Sequence, residues 1–167
     1  MTMLRNTLIV LTAIATAAPA LAAPKTQGEF SDWTVYTRDD GGERICYALS
    51  EAQIKAPGNV THGDVYFMVA NWKSGAASEQ PSLLTGYPLK SSSPPKARVG
   101  STRIAMYTSD NEAFVEASAD ERKLVQQMRK GSSMRIDAVS QRGTATSYEF
   151  SLKGITAALR KAKQLCG

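Results

Sequence analysis

From Trp33 onward, apolar and polar residues alternate in short runs, the period-two pattern of half-buried strands. Trp33, Val35 and Thr37 share one face, with Thr34 and Tyr36 on the other. Asp39-Asp40-Gly41-Gly42 tolerates left-handed backbone angles, so a hairpin turn is expected there, returning as a strand over Arg44–Ser50. Pro57-Gly58-Asn59 breaks the chain before Asp64–Trp72, whose Val65-Tyr66-Phe67-Met68-Val69 run predicts a strand buried on both faces. Ser74–Pro81 reads as a polar loop, and Leu83–Leu89 as a strand that Pro88 places at a sheet edge. After the loop Ser91-Ser92-Ser93-Pro94-Pro95, strands are expected at Ala97–Val99, Thr102–Thr108, Glu112–Val115, Ser133–Ser140 and Thr146–Leu152.

Two segments change to the helical period. Ser118-Ala119-Asp120-Glu121 has the capping-box form, Leu124, Val125 and Met128 make one apolar stripe, and Gly131 supplies a stop. Ile155, Ala158, Leu159, Ala162 and Leu165 recur at three- and four-residue steps, which predicts a C-terminal helix over Ile155–Leu165. Many short strands with one short internal helix and one terminal helix predict a mainly β protein, a β-sandwich. The alternative is an α+β sheet with one covered face.

The start of the chain follows different rules. A short basic opening through Arg5 precedes the apolar stretch Leu8–Ala18, and Pro19-Ala20-Leu21-Ala22 puts small residues where a signal peptidase cuts. The apolar stretch amounts to about 16 Å of helix, too short for a hydrocarbon core of about 30 Å. Residues 1–22 therefore read as a cleavable signal peptide and 23–167 as one domain, exported to the periplasm or secreted. Arg5 is the only charge in the leader, so 19 basic and 15 acidic residues remain after it, a net charge of +4. In an oxidising compartment the two cysteines, Cys46 and Cys166, read most simply as a disulfide. Free thiols or a redox centre are the alternatives, although the chain has no C-x-x-C.

Composition excludes a disulfide-stapled miniprotein and a Cys/His zinc cage, because two Cys and one His supply too few ligands. No nucleophile elbow, phosphate-binding glycine loop, EF-hand loop or H-E-x-x-H occurs. His62 reads as a solvated loop residue, and Asp39, Asp40, Asp110 and Glu112 read as turn formers rather than paired catalytic carboxylates. No catalytic residue, cofactor or metal is expected. Trp33 and Trp72 lie in alternating apolar strands and are expected in the core. Asn59-Val60-Thr61 fits a glycosylation sequon, read as incidental beside a bacterial-looking leader. The basic residues Arg129, Lys130, Arg160, Lys161 and Lys163 fall on the outer faces of the two helices. They read either as solvated, dipole-complementing faces or as contacts for anionic envelope polymers or lipid headgroups. Nucleic acid is not an expected partner, since interleaved aromatics are lacking.

Several stretches together resemble the invasion-associated locus B family of exported alphaproteobacterial proteins. They are Phe30-Ser31-Asp32-Trp33-Thr34-Val35, Ile45-Cys46-Tyr47-Ala48-Leu49-Ser50, Gly86-Tyr87-Pro88, Gly143-Thr144 and Ser151-Leu152-Lys153-Gly154, with a terminal helix ending at Cys166. Many relatives carry a further Cys soon after the W-x-V segment, where this chain has Tyr36 and Thr37. The resemblance implies an immunoglobulin-like β-sandwich and an envelope or secreted protein, associated in some members with entry into host cells. It carries over no catalytic or metal-binding residue. The expected role is a non-enzymatic binding module that offers loops such as Lys73–Pro81 and Ser91–Lys96 to an envelope component or host-surface molecule. A periplasmic hydrolase with a site assembled from dispersed residues is one alternative, and a structural envelope protein acting through its basic helices is another.

Overall fold

The structure, a computed structural model, describes residues 23–167; the expected signal peptide lies outside them. In chain order the strands begin with β1 (Lys25–Phe30), β2 (Trp33–Asp40), β3 (Glu43–Glu51), β4 (Ile54–Ala56), β5 (Tyr66–Trp72) and β6 (Gln80–Leu84). There follow β7 (Lys96–Val99), β8 (Thr102–Ala105), β9 (Tyr107–Ser109), β10 (Glu112–Phe114) and helix α1 (Ser118–Met128). The chain ends with β11 (Ser133–Val139), β12 (Ala145–Ser151) and α2 (Ile155–Cys166).

Seven strands make one antiparallel sheet, ordered β1-β2-β3-β5-β6-β10-β9, and five make a second, ordered β4-β12-β11-β7-β8. Their inward side chains form one core, as in the expected sandwich: Trp33, Ala48, Phe67 and Leu83 from the larger sheet, Ile104, Met134, Ile136 and Phe150 from the smaller. The Phe67 and Phe150 rings lie 5.8 Å apart across the layer. The Trp33 indole donates to the Ser151 carbonyl of the opposite sheet at 2.9 Å. Helix α1 touches β6 of one sheet and β7 and β8 of the other, burying Leu124, Val125 and Met128 between them. Helix α2 lies across β1, β2, β3 and β5 and is bonded to β3 by the expected Cys46–Cys166 disulfide. That bond spans 120 residues, which the chain-entropy account values at about 4–5 kcal/mol. The turn into α2 needs Gly154: its φ is +92°, and a Cβ there would lie 1.9 Å from the Phe30 carbonyl oxygen.

Several expectations require correction. β1 and β4 were not anticipated, because both are short, polar or half-exposed edge strands set by pairing rather than pattern. β5 is fully buried on its inner face, at Phe67, Val69 and Asn71; on the outer face Ala70 is covered, but Tyr66, Met68 and Trp72 are only half-buried. Trp72 is therefore no core anchor, whereas Trp33 is fully buried. The strand expected at Leu83–Leu89 is β6, which ends at Leu84 because the Thr85 hydroxyl donates to the Tyr87 carbonyl and turns the chain. Pro81 sits in β6 beyond the reach of β10, so its missing N–H leaves no gap in that ladder. Thr102–Thr108 divides at buried Met106 into β8 and β9, one in each sheet. The capping box does not form: Ala117 is the N-cap, Ser118 is already helical, and the Ala117 carbonyl accepts from the amides of Asp120 and Glu121.

Candidate functional site

The outward residues of the smaller sheet follow from strict alternation. In β7, β8 and β11 the apolar Ala97, Val99, Ile104, Met134, Ile136 and Ala138 turn into the core. Their neighbours Lys96, Arg98, Arg103, Arg135 and Asp137 are left to face solvent. Register then decides what meets. Arg98 lies opposite Arg103 on β8 and opposite Arg135 on β11, so three arginines form one row across adjacent strands. At about 4.8 Å between strands, the row covers about 10 Å. The next row outward places Ala105, Lys96, Asp137, Ser147 and Ala56 side by side.

Charge along this face is poorly balanced. Asp137 accepts from Arg135 Nε at 2.8 Å and lies opposite Lys96; Glu149 lies opposite Arg135 on β12. Arg98 and Arg103 take part in no ion pair among the described residues. Beside the row, Ser92, Ser93 and Pro94 line an open cleft of about 610 Å³. Its walls include Lys96, Arg135, Asp137, Thr146, Ser147 and Pro57.

The outer face of the larger sheet is aromatic instead. Leu49, Met68, Ser82, Phe114 and Tyr107 form one row, Tyr36, Tyr47, Ala70 and Gln80 the next, and Arg38, Ile45 and Trp72 a third. Tyr36 and Tyr47 stack at 5.5 Å, and a cleft of about 430 Å³ is lined by residues of all three rows. Burial pushes the Tyr47 and Tyr66 phenols above their ordinary pKa.

His62 is not the solvated loop residue that its surroundings in the sequence suggest; it is 8% exposed. Its Nε2 meets the Pro57 carbonyl at 2.9 Å and its Nδ1 meets the Tyr148 hydroxyl at 3.0 Å. A carbonyl only accepts, so in the neutral ring Nε2 carries the hydrogen and Tyr148 donates to Nδ1. The Tyr148 oxygen lies 2.5 Å from the Tyr87 hydroxyl, which also meets Thr146 at 2.7 Å. Both ring nitrogens are thus committed to the fold, and among the described residues no carboxylate is bonded to this network. Burial drives the Tyr148 pKa strongly upward. Of the acids read as turn formers, Asp39 pairs with Arg44 and Asp40 with Arg38. The Arg44 guanidinium holds the Asp39 carboxyl below its ordinary range. Among the described residues, no three His, Cys, Asp or Glu side chains converge as metal ligands would.

The cations singled out on the helices do not gather. Arg129 is ion-paired with Glu79, which carries its charge into a half-buried bridge, and Lys130 follows it in the exposed turn after α1. Arg160, Lys161 and Lys163 lie on α2, against a different set of strands. The arginine row is not visible in the sequence because alternation separates its members with apolar residues, whereas the helical doublets are adjacent. Outward positions of Lys-Ala-Arg-Val, Thr-Arg-Ile-Ala and Met-Arg-Ile-Asp were the available signal.

A family model described as "Invasion associated locus B (IalB) protein" matches residues 33–163, from Trp33 at the start of β2 to the last turn of α2. No curated protein and no solved structure matches the chain.

Proposed function

We propose that this chain, which belongs to the invasion associated locus B family, is an exported, non-enzymatic binding protein whose partner is an anionic component of the envelope or of a host surface. The observation that carries the reading is the register of Arg103, Arg98 and Arg135 on the exposed face of the smaller sheet. Like charges directly opposite one another destabilise a sheet. A fold that keeps three such residues on rigid, fully packed strands carries an electrostatic cost that an anionic partner would relieve. Export rests on the leader-like Met1–Ala22 and agrees with a disulfide that oxidising compartments maintain. No helix among the described residues is long and apolar enough to cross a membrane. Host-cell association is the finer part of the proposal, drawn from the family's name.

The test measures association of the purified protein with envelope vesicles and with host-cell surfaces at several salt concentrations. Wild-type protein is expected to bind and to release as salt rises. An Arg98→Ser/Arg135→Ser double variant that keeps the wild-type melting behaviour is expected to lose most of the binding. Equal, salt-insensitive binding by both proteins overturns the proposal.

A further inference from the structure

Resting on that reading, and going beyond it to the chemistry of the ligand, we propose that the arginine row and the adjoining cleft bind a linear polysaccharide bearing carboxylate groups. Three arginines occupy directly opposed positions on adjacent strands, so their backbones recur at the strand spacing, about 4.8 Å, in one row across the sheet. Such an array matches a polymer whose charges also recur along a line, better than it matches a single small anion. Each guanidinium is a planar fork that takes a carboxylate through two parallel hydrogen bonds, which a lysine ammonium cannot do. Among the described residues no carboxylate occupies the forks of Arg98 and Arg103. Arg135 shares only its Nε with Asp137.

The cleft supplies what a charged row alone would lack. Ser92, Ser93 and Ser147 offer hydroxyls, and Asp137 offers an acceptor, the complement that sugar hydroxyls need. Pro57 and Pro94 form apolar patches in the same walls, suited to the C–H faces of sugar rings. Its volume, about 610 Å³, falls within the usual range of ligand sites.

Two other polyanions fit less well. A bilayer would call for large apolar side chains among the cations, but the small residues Ala105, Ala145, Ser147 and Ala56 stand there. The exposed Ile54 lies at the far edge, opposite Glu149 rather than beside an arginine. Single-stranded nucleic acid would call for stacking aromatics, and all outward-facing residues of the row and its neighbour are non-aromatic.

Calorimetric titration of the purified protein tests the proposal, with polygalacturonate oligomers, neutral dextran oligomers of equal length, and phosphatidylglycerol vesicles as probes. Expected is binding to the uronate oligomers, none to dextran, and weaker or no binding to vesicles. Arg98→Ser and Arg135→Ser should each weaken uronate binding about tenfold. Lys161→Ser on α2 should leave it unchanged. Filling the cleft with Ser147→Tyr should weaken the oligomer while sparing galacturonate monomer, whose only anchor is the row. Variants that lose native circular dichroism are replaced by Arg98→Lys, which keeps the charge, removes the fork and should still weaken binding. Vesicles bound in preference to uronate overturn the polysaccharide while leaving the anionic surface standing. Failure to bind either polyanion overturns both readings. Loss through Lys161→Ser equal to that through Arg98→Ser overturns the choice of face.

Discussion

The two sheets share a core but show solvent opposite surfaces. On the larger sheet, outward rows such as Leu49-Met68 and Phe114-Tyr107 join apolar neighbours across strands, and pairs of that kind contribute roughly 0.2–1 kcal/mol each. On the smaller sheet the corresponding positions hold Arg103, Arg98 and Arg135, where the same geometry costs stability. Pleat, spacing and buried faces are alike in the two, so the outward residue alone decides whether a face supports the fold or draws on it. A face that draws on the fold is better explained by a ligand than by architecture.

The comparison assumes that both sheets unfold as one body, and the disulfide can break that assumption. Cys46→Ser should cost about 4–5 kcal/mol, since the bond closes 120 residues. Both tryptophans, Trp33 and Trp72, lie in the larger sheet. Denaturant unfolding followed by their fluorescence and by far-ultraviolet circular dichroism should therefore shift together. Separate transitions would mean that two loosely joined layers, not two faces of one body, are being compared.

Tyr148→Phe probes a connection between the layers. The hydroxyl it removes joins His62 and Tyr87 to the smaller sheet, and its loss leaves the buried His62 Nδ1 without a partner, a cost of about 1–3 kcal/mol. The pH dependence has a definite sign. Burial raises the folded-state pKa of Tyr148 above its ordinary value of 10.0, so the unfolded chain loses that proton first. Stability from this group is complete below pH 10 and declines as pH rises beyond it. Chemical denaturation at pH 9 and pH 11 should show a smaller alkaline loss in Tyr148→Phe than in wild type; equal losses would assign the decline to Tyr47, Tyr66 or other groups.

Most of the strands were legible because alternation marks any segment with one buried face: β2, β3, β11 and β12 follow it closely. β1 and β4 were not legible, since an edge strand is defined by the neighbour that pairs with it. Most of the stretches carrying the family resemblance fasten the fold. Trp33 reaches Ser151, Tyr87 reaches Tyr148 and Thr146, Gly154 abuts Phe30, and Cys46 binds Cys166. The arginine row needed register, which depends on pairing between residues far apart in sequence. The burial of His62 is hidden in the sequence for a related cause: Tyr148, which packs on its ring, lies 86 residues away.

Trp72→Ala tests the apolar half of the comparison. Its half-buried indole covers β3 and β5 from outside, so truncation should cost about 1–2 kcal/mol, less than a core tryptophan. Because the loss is hydrophobic, the difference from wild type in urea midpoint should be nearly the same at low and high sodium chloride. A difference that vanished in salt would mean that charge near Trp72, such as Arg38 in the same row, and not its apolar area, matters.

Arg98→Thr is expected to have the smallest effect and the most informative sign. Removing the central guanidinium relieves two like-charge pairings at once, and threonine suits a strand, so stability should rise by roughly 0.5 kcal/mol at low salt. Screening should shrink the gain toward zero as the Debye length falls to about 3 Å near 1 M salt. Urea midpoints at two salt concentrations measure it directly. If Arg98→Thr instead destabilises at both salts, the arginine stem is packing on the sheet and the row belongs to the architecture. The two faces would then differ in composition only, and the electrostatic cost would no longer point to a ligand. A gain at low salt that disappears at high salt, together with weaker uronate binding, would show that the protein gives up stability at this face in exchange for recognition.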